Sequence, residues 1–305
     1  MSSASAPGVI MLLCSERSGS NLLTRLFDAH PEVCGPAPTH LGSEMLGNLH
    51  RYPDWGDRDR RDFVTDFLDL FEAKLGAWRF RPDRAWLEAR LDDGGPLGAY
   101  LALYREEARA NGKSLVFIKE NQVYRWGALL LASGESIRWP YLVRDPRDMA
   151  LSWKKAPALR GGVLRAAETW RTDQEGTLAL AGAIAATSAV DIPMLHYEAL
   201  VDDPGKALTR LCEALDLPYH PDMLRYHESE TSRRQASTVG EWSNLSRPLL
   251  RGNHGKYREA LEPREIRCIE NMCGAAMDAV GYHREAPVLD GEALEAVVEA
   301  GRPGG

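Results

Sequence analysis

No stretch of this 305-residue chain approaches the roughly 18 consecutive apolar residues that a membrane-spanning helix needs, so no membrane span is expected. There are five cysteines, Cys14, Cys34, Cys212, Cys268 and Cys273. Their number is odd and none forms a close Cys-x-x-Cys pair, which argues against a disulfide framework and a zinc site. Cys268 and Cys273 lie five apart in a helical pattern, so they do not share a face, and reduced buried thiols are expected. The chain also lacks a basic block: its formal net charge is -7, and nucleic acid is not an expected partner. The first residues carry no basic segment, and their apolar run is too short for a secretory signal. A soluble cytoplasmic protein is therefore expected.

What is present is a strand–helix alternation. Residues 9–14 form a continuous apolar run of strand length, followed by a helical pattern over 20–29. Residues 62–75 and 97–110 read as helices, 114–119 as a second strand and 122–132 as a helix. Residues 137–143 read as a third strand despite Pro140. A helix then starts at Asp145-Pro146, with Asp148 in its first turn. A long Ala-rich helix or helix pair over 162–189 precedes a fourth strand at 191–196, and helices are expected at 204–215 and 263–280. This order predicts an α/β fold with a central parallel sheet flanked by helices, whose ligands sit beyond the carboxyl ends of the strands.

The first strand runs into Cys14-Ser-Glu-Arg-Ser-Gly-Ser-Asn-Leu22, a small polar loop that opens a helix. Such a loop presents backbone N–H groups and the positive end of a helix dipole to an anion. Ser18, Gly19 and Ser20 permit close approach, and Arg17 adds a fixed charge. The Gly-Lys-Ser/Thr of a magnesium-dependent P-loop is missing, so a phosphate that needs no metal is expected. In Tyr141-Leu-Val-Arg-Asp-Pro-Arg-Asp-Met-Ala-Leu-Ser-Trp153, Arg144 stands at a strand end and Ser152 about two turns into the next helix, a pair suited to a second phosphate. Two separated anion pockets are expected.

These stretches together resemble the sulfotransferases that use 3′-phosphoadenosine 5′-phosphosulfate (PAPS). Arg17-Ser18-Gly19-Ser20-Asn21, with Leu22, is similar to the family's 5′-phosphosulfate loop, with Asn21 where Ser or Thr is usual. Arg144-Asp145-Pro146-Arg147-Asp148 and Ser152 are similar to its 3′-phosphate motif. Tyr197 to Pro204 resembles a Tyr-Glu-x-Leu-x-x-Asp-Pro segment. Arg251-Gly252-Asn253-His254-Gly255-Lys256-Tyr257 resembles the late loop that returns to the 3′-phosphate, with Asn253 where Gly is expected. The resemblance implies a P-loop-like, sulfotransferase or nucleotide-kinase-like fold. It also implies PAPS as co-substrate, 3′,5′-ADP as product and no metal. It gives Arg17 the departing bridging oxygen and Arg144, Ser152 and Arg251 the 3′-phosphate.

The general base is open. Glu120, at the carboxyl end of a buried strand, is preferred because desolvation raises a carboxylate pKa. His40 follows, since imidazole titrates near working pH, and Glu44 and His254 are further candidates. Trp153, Trp170 and Tyr197 are candidates for stacking on adenine. One domain is expected over 1–285, with acceptor-side insertions at 40–110 and 225–250 and a loosely held tail at 286–305. Tyr52, Trp55, Trp78, Phe80 and Trp86 are available either to an apolar acceptor pocket or to helix packing. The wording around residues 14–41 resembles bacterial sulfotransferases of polyketide and other natural-product pathways. That implies a small-molecule or carrier-protein-bound alcohol as acceptor. The oligomeric state stays open, a homodimer included. Rival readings are a P-loop-like kinase and a non-catalytic nucleotide-binding module.

Overall fold

The computed structural model describes residues 6–74, 78–188, 190–229 and 246–285. Six parallel strands form the sheet: β1 (Gly8–Cys14), β2 (Val33–Cys34), β3 (Leu115–Lys119), β4 (Ile137–Arg138), β5 (Tyr141–Val143) and β6 (Met194–His196). Their order is β2-β3-β1-β5-β6, with β4 also paired to β1. The helices are α1 (Ser20–Asp28), α2 (Leu41–Glu44), α3 (Asp57–Lys74), α4 (Arg84–Ala110), α5 (Gly127–Ala132) and α6 (Pro146–Lys154). They continue with α7 (Gly162–Thr187), α8 (Tyr197–Asp202), α9 (Pro204–Ala214), α10 (Tyr257–Ala260) and α11 (Pro263–Ala279).

Because side chains alternate along a strand, β1 feeds two cores. Val9, Met11 and Leu13 pack with residues of α3 to α7 and α11, whereas Ile10, Leu12 and Cys14 pack with α1, α8 and α9. Both faces of the sheet are covered, which is why β1 reads as an unbroken apolar run. Phe27 of α1 stacks on Phe117 of β3 with centroids 4.4 Å apart. Burying such a side chain contributes about 2 kcal/mol.

Several expectations change in detail. Pro140 splits the third strand: β4 pairs with Val9 and Ile10, β5 pairs with Leu13 and Cys14, and the Pro140 carbonyl bridges the gap by accepting from the Leu13 N–H at 2.9 Å. The proline has no N–H to give the ladder. Val33 and Cys34 form a further short strand that pairs with Leu115 and Val116; two residues are too few to show a period in the sequence. The helix expected at 97–110 begins at Arg84 and is broken at Gly95, just before Pro96. Residues 122–132 divide into a 3-10 turn, Val123–Arg125, and α5. Residues 162–187 form one helix.

The aromatic residues of the 40–110 stretch mostly pack on one another: Tyr52 and Trp55 against Phe63, Trp78 against Phe71 and Tyr104, Phe80 against Trp86. All five cysteines are free and buried. Most of the second expected acceptor-side stretch, 230–245, and the tail from 286 lie outside the described residues. Among the described residues, no helix is long and apolar enough to cross a membrane and no His/Cys/Asp/Glu group of metal-binding arrangement occurs.

Candidate functional site

The carboxyl ends of β1, β3 and β5 open into one cavity of about 330 Å³. It is lined by Arg17, Gly19, Ser20, Asn21 and Leu22 from the first loop and helix, and by Arg144 and Ser152 from the β5–α6 stretch. The two phosphate motifs therefore share one cavity where two separate pockets were expected. The Arg17 Nε donates to Ser152 Oγ at 3.2 Å, and an Arg144 guanidinium N–H donates to the Arg17 carbonyl at 3.2 Å.

The entry to α1 is built for a ligand with negative charge. Gly19 is the N-cap, in the left-handed conformation with φ 93, and no side chain caps the helix. The first intrahelical bond is Leu23 N–H to the Gly19 carbonyl, so the N–H groups of Ser20 to Leu22 lie ahead of the ladder. A Cβ at residue 19 would lie 2.5 Å from the Tyr197 ring, so glycine is required twice, for φ and for space. Ser18 departs from expectation: its hydroxyl is buried and donates to the Ser15 carbonyl at 2.7 Å, shaping the loop from within.

Arg144 is held on three sides. Its guanidinium lies 4.3 Å above the Tyr197 ring, and its carbonyl accepts from Trp170 Nε1 at 2.9 Å. Its Nε is buried with no hydrogen-bond partner. A buried guanidinium nitrogen without an acceptor is costly unless an anion completes it.

Tyr197 cannot serve as an adenine platform. Arg144 lies over its ring, the Cδ2–Cε2 side lies close to Gly19, and only 5% of the residue is exposed. Trp153 and Trp170 are buried, with their indole N–H groups bonded to the Arg160 and Arg144 carbonyls. The structure uses all three aromatics as supports.

The late loop sits behind Tyr197. Asn253 Nδ2 donates to Tyr197 Oη at 2.9 Å, and the Gly252 N–H reaches the Val201 carbonyl at 3.3 Å. Asp148 lies in the first turn of α6, where Asp145 caps by accepting from the Arg147 N–H. Its own carboxylate receives the N–H groups of Gly255 and Tyr257, anchoring the loop. Arg251 is exposed and lines neither this cavity nor its neighbour; Gly252 and Asn253 do not line them either.

A second cavity of about 460 Å³ adjoins the first. Glu16, Pro38, His40 and Asn121 line both, while Ser43, Glu44, Gln122 and Arg125 line the second alone. Across the boundary, Lys119 Nζ donates to Asn121 Oδ1 at 2.8 Å, and Asn121 Nδ2 donates to Glu16 Oε1 at 3.1 Å. His40 stands in the left-handed region with φ 60 and caps α2.

Of the four base candidates, the structure puts His40 and Glu44 on the second cavity. His254 is elsewhere, 2.9 Å from Asp202 Oδ1. Glu120 is 0% exposed and lines neither cavity. Lys119 and Asn121 line the first cavity, whereas the Glu120 carboxyl, just past the end of β3, is held by Thr39 and Tyr104. Burial does push the Glu120 carboxyl up to about 7, against the lowering influence of Lys119 and its hydrogen bonds.

Sequence reasoning missed Asp173. This α7 carboxylate is buried, accepts from Ser15 Oγ at 2.8 Å and from Tyr124 Oη at 3.1 Å, and so ties the first loop to the turn beside the second cavity. Burial raises it to about 6. The separations of 158 and 49 residues leave no local signal. Lys119, Asn121 and Glu16 were also unassigned; a polar residue at every second position past a strand end was the available clue.

Comparison with known proteins agrees with this geometry. The profile of the sulfotransferase family matches residues 7–221. Among solved structures, the sulfotransferase domain from the Synechococcus PCC 7002 olefin synthase superposes with TM-score 0.62 at 19% identity, covering 93% of this chain and 98% of that one. The sulfotransferase domain from the curacin biosynthetic pathway gives TM-score 0.59 at 19% identity, covering 92% and 99%. At these identities the superpositions show the fold. No curated protein matches the sequence. The profile match spans well over half the residues and contains the first loop, the Arg144 stretch and both cavities, so the chain belongs to the sulfotransferase family.

Proposed function

We propose that this protein transfers the sulfuryl group of PAPS to a hydroxyl of a small-molecule or carrier-bound acceptor. The observation that carries the reading is that Arg144, whose buried Nε has no partner, lines the same cavity as Arg17 and the uncapped start of α1. A nucleotide with negative charge at both its 3′ and 5′ ends matches two arginines on one cavity. Gly19, Ser20, Asn21 and Leu22 would hold the 5′ end, with Arg17 at the bridging oxygen; Arg144 and Ser152 would hold the 3′-phosphate. When bound, PAPS supplies the activated sulfuryl group and leaves as 3′,5′-ADP.

Within this reading the second cavity receives the acceptor, and His40 is the general base. Geometry comes before pKa in choosing a base. His40 borders both cavities, where an acceptor hydroxyl meets the donor, and Glu44 borders only the second. Arg17 neutralises charge on the departing oxygen and Lys119 adds positive charge at the boundary.

Thermal unfolding with 3′,5′-ADP, 5′-AMP and ATP–magnesium tests the donor assignment. A ligand at 100 times its Kd stabilises by about 2.7 kcal/mol, a shift of roughly 4 °C for a chain of this size. The shift is expected with 3′,5′-ADP and not with 5′-AMP. An equal response to ATP–magnesium would favour a kinase instead.

A further inference from the structure

Glu120 is buried, chemically poised and out of reach of either cavity, so its role must pass through something else. Its Oε1 accepts from Thr39 Oγ1 at 3.1 Å and from Tyr104 Oη at 3.0 Å, and the backbone of His40 also hydrogen-bonds to the carboxyl. Thr39 Oγ1 in turn receives the Leu41 N–H at 3.2 Å. These contacts surround a single strained residue. His40 has φ 60 and ψ 12, a conformation that is strained for a side chain-bearing residue and persists only where the surroundings impose it. The loop also presses on the Glu120 stem: a Cβ at Gly42 would lie 3.3 Å from Glu120 Cγ and 2.5 Å from the Trp126 ring.

We propose that Glu120 is a positioning residue, whose carboxyl clamps Thr39 and the His40 backbone and so aims the His40 imidazole at the junction of the two cavities. The clamp needs hydrogen-bond acceptance and shape; it does not need a negative charge. The Glu120 Oε2 is buried with no partner, and the residue lines neither cavity, so no acceptor hydroxyl there reaches the carboxyl. The proposal rests on the reading of His40 as base for its catalytic meaning, but the clamp itself can be tested separately.

The test follows His40 directly. Carbethoxylation of His40 by diethyl pyrocarbonate is timed by mass spectrometry in the wild-type protein, Glu120→Ala and Glu120→Gln. Affinity for 3′,5′-ADP serves as the check that the donor cavity is intact. Glu120→Ala is expected to speed modification about fivefold with nucleotide affinity unchanged, and Glu120→Gln, which keeps an acceptor oxygen, to restore most of the protection. An unchanged His40 rate in folded Glu120→Ala overturns the clamp. If Glu120→Ala does not fold, Thr39→Val, which removes the clamped hydroxyl alone, is expected to give the same acceleration, and its failure to do so overturns the clamp equally. Sulfate transfer separates the roles. A Glu120→Gln variant that binds 3′,5′-ADP normally but has lost turnover as completely as His40→Gln would make Glu120 itself the proton acceptor and overturn the proposal. Wild-type turnover in His40→Gln would instead sink the base reading, leaving the carbethoxylation result to decide the clamp.

Discussion

The two adjoining cavities are built by different means. The first is assembled from strand ends and a helix start, elements whose positions follow from sheet pairing; its loop carries two left-handed residues, Arg17 at φ 58 and Gly19 at φ 93. The second depends on a short irregular stretch around His40, held by side chains from α4 and the end of β3. On the proposed reading, the donor side is thus shaped mainly by backbone and the acceptor side by a small number of buried polar contacts. The lesson is that the same sheet can shape one half of a site by topology and leave the other half to side-chain contacts.

The sharpest way to break this comparison is to separate chemistry from donor binding. Arg17→Ala is expected to lower turnover of PAPS about a thousandfold, because charge at the departing oxygen acts chiefly in the transition state; an equally large loss in KM alone would refute that role. Next in size is a pH effect on stability. The Glu120 carboxyl is raised from 4.5 to about 7. Between those values the folded chain binds more protons at this site than the unfolded chain. Its contribution is therefore fully present below pH 4.5 and is lost as pH rises through 7, by up to about 3 kcal/mol. Glu120→Gln has no such term, so its unfolding free energy relative to wild type should rise between pH 5 and pH 8, as denaturant titrations at both pH values would show. Arg144→Ala is expected to weaken 3′,5′-ADP about a hundredfold in calorimetry with an unchanged circular dichroism spectrum. The smallest effect belongs to the acceptor side: Glu44→Gln is expected to change acceptor KM roughly threefold while leaving 3′,5′-ADP affinity alone, as a surface-lining substitution usually does. A matching change in both would dissolve the distinction between the cavities.

How much of this was legible in the residues follows the same division. The first loop and Arg144 could be read because a strand, small residues and a helix in sequence leave few ways to arrange the backbone. That both motifs border one cavity could not be read, since it depends on β1 and β5 being neighbours. Glu120 illustrates the limit most clearly. Its place at a strand end and the direction of its pKa were foreseeable, but which way it faces depends on the register that puts Lys119 and Asn121 in the cavity. Tyr197 was read as a candidate for stacking on adenine; nothing local reveals that the ring is buried under Arg144 and close to Gly19. Asp173 lay beyond reach altogether, joined to Ser15 only by the packing of α7.

The partition of the second cavity's wall has a practical corollary. Four of its eight residues, Ser43, Glu44, Gln122 and Arg125, have no part in the first cavity. If the second cavity takes the acceptor as proposed, those four positions form a natural library for redirecting transfer to new alcohols, one whose members should all still be purified on an immobilised 3′,5′-ADP resin.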